Sequence, residues 1–277
     1  MWRTNKVEIP KYLYHYTNID SLALILKNKT IRLNSLDKMD DLQEQETADI
    51  KNLGQFIYVS SWTDDEKESI PMWNMYANIK AGVRIKMVAN PFKRHKTLIT
   101  NILKAGYNVV GNQNTELDTF LSIEDMMDKN YFVAESYSGE ILKKVQYTME
   151  PSLLYPTVDH SDEKKIRIET GILGIYKNLH WEFQKEWRYR MTIVPFVFGS
   201  PSEMEKQFTL TANQIYRGME KQVFPYYDLQ IDEEAYRQME ITLSPRITPG
   251  NRELIMNTIL RYNPHITVKD SCLLGLI

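Results

Sequence analysis

The chain has 277 residues, 43% of them hydrophobic and 25% charged, with a formal net charge of -2. That length can bury a sizeable core, the mixture excludes a disordered or fibrous chain, and the near-neutral charge argues against a dominant nucleic-acid or membrane-surface role. One cysteine, Cys272, excludes an internal disulfide and a cysteine-based metal cluster, and it suits a reducing compartment.

The first residues, MWRTNKVEIPKY, lack the apolar run of a signal peptide, and no apolar stretch reaches membrane-spanning length. A cytoplasmic protein with no membrane partner is therefore expected. Tyr12–Thr17 alternates and is rich in aromatic residues. It predicts a strand with Tyr12, Tyr14 and Tyr16 on one face and Leu13, His15 and Thr17 on the other. Asn18 is a good cap for a helix carrying Ile19, Leu22, Ile25 and Leu26, and Thr30–Leu33 reads as a second strand. Residues 35–41 are polar and acidic, which predicts a loop outside the core leading into a helix through Ala48. Gln55–Ser60 reads as a strand ending in Ser60-Ser61-Trp62. Pro71 suits the first turn of a short helix, Met72–Ala77, and Lys80–Gly82 turns into the strand Val83–Met87.

From Asn90 to about Glu140 the pattern weakens, with a helix expected over Thr115–Lys129. Ile141–Tyr147 resembles a strand, and Ser161 opens a predicted helix toward Leu179. From Gln184 the residues alternate again: Trp187, Tyr189, Met191 and Ile193 on one face, Gln184, Glu186, Arg188, Arg190 and Thr192 on the other. This is either a strand with its back on a core and its front toward a polar cleft, or an exposed amphipathic strand with solvated charges. Shorter strand-like runs follow Pro195, punctuated by Gly218 and Pro225. Ile241–Leu243, Pro249–Leu260 and His265–Val268 read as strand, helix and strand. Neither a repeat nor a linker divides the chain. One α+β domain over residues 1–277, irregular from about 90 to 140, is the expected architecture.

The five histidines, His15, His95, His160, His180 and His265, are scattered without ligand spacing, so no metal site is predicted. Phosphate-binding glycine loops and a serine-hydrolase elbow are also missing. What remains is a set of polar and aromatic residues on strands. His15 could orient a sugar hydroxyl or be satisfied by backbone; Ser60 and Ser61 could reach a cleft or serve a turn. Trp62, Trp73 and Tyr76 could stack on a flat ring or fill core, and Arg188 and Arg190 could grip a diphosphate or pair with Asp37, Asp40 or Asp41.

His15-Tyr16-Thr17, the acidic residues 37–41, Val59-Ser60-Ser61, Met72-Trp73-x-x-Tyr76-Ala77 with Gly82, and Trp181-x-x-Gln184-x-Glu186-Trp187-Arg188 occur in an order that resembles the bacterial DUF2971 family. Asp40, Leu42 and Gln184 stand where that family pattern leads one to expect asparagine, proline and glutamate. A looser resemblance links a His-x-Thr strand, an aromatic-x-Ser-Ser strand and a late Gln-x-Glu strand to the three motifs of ADP-ribosyltransferases. That resemblance implies a split-sheet core flanked by helices and NAD as substrate. Glu186 and His15 would be the catalytic pair, with Tyr14, Tyr16, Thr17, Ser60, Ser61, Trp62, Trp73, Tyr76, Gln184 and Arg188 around the cofactor. It requires His15 and Glu186 to converge on one sugar-sized hollow from the same side of the sheet. The implied activity is ADP-ribosyl transfer to a macromolecular acceptor, protein or nucleic acid, or NAD cleavage, in a toxin or phage-defence setting. The alternative is a non-catalytic module that binds a nucleotide or a nucleic-acid end.

Overall fold

The computed structural model describes residues 8–98, 116–135, 141–163 and 166–277. The start of the expected helix at Thr115 and part of the irregular stretch lie outside the described residues. In chain order the strands are β1 (Tyr12–Thr17), β2 (Thr30–Ser35), β3 (Ile57–Thr63), β4 (Val83–Val88), β5 (His95–Leu98), β6 (Glu116–Thr119) and β7 (Tyr131–Val133). There follow β8 (Leu142–Lys144), β9 (Gln146–Thr148), β10 (Tyr176–Asn178), β11 (Glu186–Pro195), β12 (Tyr226–Gln230), β13 (Glu240–Leu243) and β14 (Thr267–Lys269). Helix α1 (Ile19–Asn28) joins β1 to β2, and longer helices span Pro201–Tyr216 and Pro249–Tyr262.

Ten strands form one mixed sheet in the order β12-β2-β3-β1-β4-β13-β14, with β11 pairing β3, β7 and β8. Each of these ladders is antiparallel except β13–β14. Two small ribbons, β5–β6 and β9–β10, stand apart from it. The architecture is thus mixed α/β, with several helices around a large sheet.

Alternation decides which face carries the main core. Leu13, Trp62, Trp187, Tyr189, Ile85 and Ile241 leave the sheet on one side and join the large apolar cluster, onto which α1 packs Leu22, Ile25 and Leu26. A smaller cluster of Leu36, Ile57, Val59, Leu173 and Ile215 closes the opposite side. α1 starts where Asn18 Oδ1 accepts from Ser21 N, at 2.8 Å, as its cap chemistry requires.

Five expectations need correction. The helix expected over Thr115–Lys129 is confined to Ile123–Lys129, and the strand β6 occupies Glu116–Thr119 before it. Residues 36–48 form 3-10 turns at Leu36–Lys38 and Leu42–Gln45 rather than a loop and a helix, and they are not outside the core. Leu36, Asp41 and Glu44 are all buried. The helix expected from Ser161 is absent in the described residues, where bends lead to β10 and a 3-10 segment, Leu179–Gln184. The strand-like reading after Pro195 fails over the 16-residue helix Pro201–Tyr216, which begins with a Ser200/Glu203 capping box, and holds only for β12 beyond Pro225. Ser60 and Ser61 do not end a strand, since β3 continues to Thr63.

Candidate functional site

β3 has two neighbours on one edge. It pairs with β2 at Tyr58 and Val59, then with β1 at the single position Tyr14↔Thr63. Between these contacts β1 and β2 diverge, and α1 spans the divergence. A cavity of about 340 Å³ occupies the gap, lined by Tyr14, His15 and Tyr16 of β1, Ser21 and Asn28 of α1, Arg32 and Asn34 of β2, and Val59–Trp62 of β3. Its other end is closed by Asp40, Met72, Tyr76, Lys177, Gln184 and Glu186.

A gap in a ladder leaves backbone groups needing partners. His15 supplies one: its Nδ1 lies 2.8 Å from the Ser61 carbonyl oxygen. A carbonyl only accepts, so Nδ1 carries the proton and Nε2 keeps a lone pair. Burial pushes the imidazole below its usual range, against the opposing pull of that carbonyl bond, which keeps the ring neutral. The ring lies against Trp62, centroids 4.9 Å apart, and Trp62 Nε1 donates to Ser60 Oγ at 3.1 Å.

The carboxylate end is a buried ion network. Glu186 and Arg188 start β11, and Glu186 accepts from Arg188 Nε at 2.6 Å, Arg188 Nη2 at 3.2 Å and Lys177 Nζ at 3.2 Å. Glu44 accepts from Arg188 Nη1 on one oxygen, and its other oxygen forms an ion pair with Lys177 Nζ, at 3.0 Å, without a hydrogen bond. Two cations thus face two carboxylates, all of them nearly inaccessible to water. Burial raises the Glu186 carboxyl, but the charges of Arg188 and Lys177 outweigh it and hold the group at about 2. Three of its roughly four acceptor positions are engaged, which leaves room for one further donor. The Ser61 hydroxyl lies beside it, buried and without a hydrogen-bond partner of its own. The Glu186 amide donates to the Tyr147 hydroxyl at 2.8 Å, which fixes the start of the strand.

Register places the two candidate catalytic residues on different faces of the sheet. Glu186 pairs with Thr63 and Thr63 with Tyr14, so these three share a face, whereas His15 goes with Leu13 and Trp62. Both nevertheless line the cavity, because it runs through the gap instead of lying over one face.

Other expected site residues divide by access. Tyr14, Tyr16, Ser60, Ser61, Trp62, Tyr76 and Gln184 line the cavity with His15 and Glu186. Thr17, Trp73 and Arg188 do not. Trp73 is buried against Tyr16, centroids 5.0 Å apart, with its Nε1 donating to Glu68 at 2.9 Å. Arg188 is wholly buried and engaged by Glu186, Glu44 and the Gly174 carbonyl, so it braces the carboxylate instead of gripping a diphosphate. Arg190 is likewise buried, bound to Glu135 and the Leu173 carbonyl. Gln184 is not on the strand: Lys185 takes a left-handed conformation, φ 44°, and breaks the alternation there.

Tyr76 sits in a π-helical turn, Trp73–Ala77, that packs on β1 through Trp73 and Tyr16 and closes tightly on Gly82. Gly82 makes this possible, since a Cβ there would fall 1.8 Å from the Ala77 carbonyl oxygen. Sequence reasoning missed Lys177 and Glu44. Neither belongs to a recognisable motif, and Glu44 lies in a stretch whose polarity reads as solvent-facing.

Residues 72–189 match the family model described as Protein of unknown function (DUF2971). That stretch is similar to the DUF2971 family. Among curated proteins and solved structures, nothing matches. The matched segment carries most of the carboxylate end of the cavity, from Met72 and Tyr76 to Lys177, Gln184 and Glu186, while His15, Asp40, Ser60 and Ser61 precede it. Among the described residues, no helix is long and apolar enough to cross a membrane.

Proposed function

We propose that the cavity binds NAD and that the protein breaks its nicotinamide glycosidic bond, passing ADP-ribose to a macromolecular acceptor or to water. The observation that carries this reading is Glu186: an ionised carboxylate, held in place by Arg188 and Lys177, in the wall of a cavity that also presents a neutral imidazole. In the proposed step the bond from the ribose C1′ to the pyridinium nitrogen breaks. Nicotinamide leaves neutral with the electron pair, and positive charge develops on the sugar. An acceptor oxygen or nitrogen then bonds to C1′ and loses its proton. A fixed carboxylate in a poorly hydrated wall stabilises that charge, and its pre-set position removes the need to reorganise. His15 Nε2 would accept from a ribose hydroxyl. A toxin or phage-defence role is an analogy from the same resemblance.

A second reading, a nucleotide or nucleic-acid-end binding module without turnover, is favoured by two observations. His15 and Glu186 leave opposite faces of the sheet, and most of the acceptor capacity of Glu186 is engaged by its own cations. The readings separate when purified protein is incubated with nicotinamide-labelled NAD, with and without cell lysate. Release of label, reduced about a hundredfold or more by Glu186→Gln, supports the transferase. Binding of NAD without release by either protein supports the module, and absence of both release and binding ends the NAD reading.

A further inference from the structure

Lys177 Nζ has three acceptors around it: Gln184 Oε1 at 2.9 Å, Glu44 at 3.0 Å and Glu186 at 3.2 Å. An ammonium group only donates, so the Gln184 amide must turn its oxygen toward Lys177 and its nitrogen away. Gln184 Nε2 then donates to the Tyr76 hydroxyl oxygen, which leaves the single phenol proton pointing elsewhere. Among the described residues no acceptor for that proton is found, and Tyr76 lines the cavity while only half-buried.

We infer that Tyr76 is a ligand-contacting hydrogen-bond donor, oriented by Lys177 through Gln184, and that it takes an uncharged oxygen acceptor such as a carboxamide carbonyl. The choice of an uncharged group follows from the neighbours. Asp40 lines the same end of the cavity, and Glu186 lies one residue beyond the turn that carries Gln184. A carboxylate or phosphate placed there would meet like charge, whereas a primary carboxamide could accept from the phenol and donate to an acid. Burial, reinforced by the charges of Asp40, Glu186 and Glu44, keeps the proton on the phenol. The role differs from a stacking platform, which would use the ring face and be indifferent to the hydroxyl.

The inference rests on the NAD reading for its main probes, so the test carries a second arm. Binding of NAD and of nicotinic acid adenine dinucleotide, which has a carboxylate in place of the carboxamide, is measured by calorimetry. The wild type should prefer NAD at least tenfold. Tyr76→Phe should weaken NAD about fivefold and narrow the preference. Gln184→Glu keeps the ring and the contact with Lys177 but offers the phenol proton an acceptor inside the protein, and it should produce the same loss. Unchanged NAD affinity in Tyr76→Phe, or equal affinity of the wild type for the two dinucleotides, overturns the inference while leaving the NAD reading intact. If neither dinucleotide binds, nicotinamide and nicotinate are added at millimolar concentration to protein with labelled tyrosine rings, the Tyr76 resonance being assigned by its loss in Tyr76→Phe. A shift with nicotinamide alone upholds the donor role and ends the NAD reading; no shift, or equal shifts, overturns both.

Discussion

The two faces of β11 are equally hidden from water and built on opposite principles. Trp187, Tyr189, Met191 and Ile193 pack into the large apolar cluster, whereas Glu186, Arg188, Arg190 and Thr192 are buried under ion pairs and backbone carbonyls. The first face is stabilised by removal of area from water and tolerates changes of shape in proportion to the volume lost. The second is held together by pairing, and removing one partner strands another charge. A site that must hold an ionised carboxylate at one point in a dry wall is built on the second face for that reason.

The comparison can be broken most severely at Arg188. Arg188→Met leaves Glu44 and Glu186 facing Lys177 alone, and a loss of about 3–5 kcal/mol is expected in chemical denaturation. Adding Glu44→Gln to the same chain should recover part of that loss, because the stranded charge is then gone. On the apolar face, Met191→Ala should cost about 3 kcal/mol, the transfer and cavity terms together, and no second substitution of a charged residue should restore it. A smaller effect is expected from Tyr189→Phe, about 1 kcal/mol, from the lost bond of its hydroxyl to the Ala89 carbonyl, 3.1 Å away.

Acidity sharpens the same contrast. Glu186 has a folded-state pKa of about 2, below its ordinary value of 4.5, so the unfolded chain binds its proton first as pH falls. The contribution is therefore complete above about pH 4.5 and lost as pH drops toward 2. His15, whose pKa is lowered by burial, adds a loss that begins below its ordinary 6.5. Thermal unfolding followed between pH 7 and pH 3 should show a stability decline that is shallower in Glu186→Gln below pH 4.5 and shallower in His15→Gln just below pH 6.5. The apolar-face variant Met191→Ala should run parallel to the wild type.

Much of the fold was legible because its signals are local. The alternation of Tyr12–Thr17 and of Trp187–Ile193, the Asn18 cap and the Pro249 helix start each depend on a few adjacent residues, and each corresponds to an observed element. The helix Pro201–Tyr216 was not legible, since its Thr and Gln residues and weak apolar stripe give little periodicity, and its capping box at Ser200 and Glu203 went unread. The site was legible in part. Alternation and the resemblance marked His15, Ser61 and Glu186 as candidates, and all three line the cavity, but nothing in the neighbourhood of Lys177 or Glu44 signals that they meet, across 132 intervening positions, around one arginine. Long-range charge pairing leaves no periodic trace, which is why Arg188 looked like a ligand-binding group when it is a brace. The gap between β1 and β2 along the edge of β3, which lets residues of both faces share a cavity, is a property of register and invisible to alternation alone.

The claim on which the account depends is that one ligand reaches both His15 and Glu186 through that gap. A structure of the protein with ADP-ribose or NAD bound tests it most directly. The account expects the ligand in the cavity with ribose hydroxyls within about 3 Å of both His15 Nε2 and the Glu186 carboxylate. A ligand that touches only one of the two, with Ser60–Trp62 or the Trp62 ring between it and the other, would contradict it.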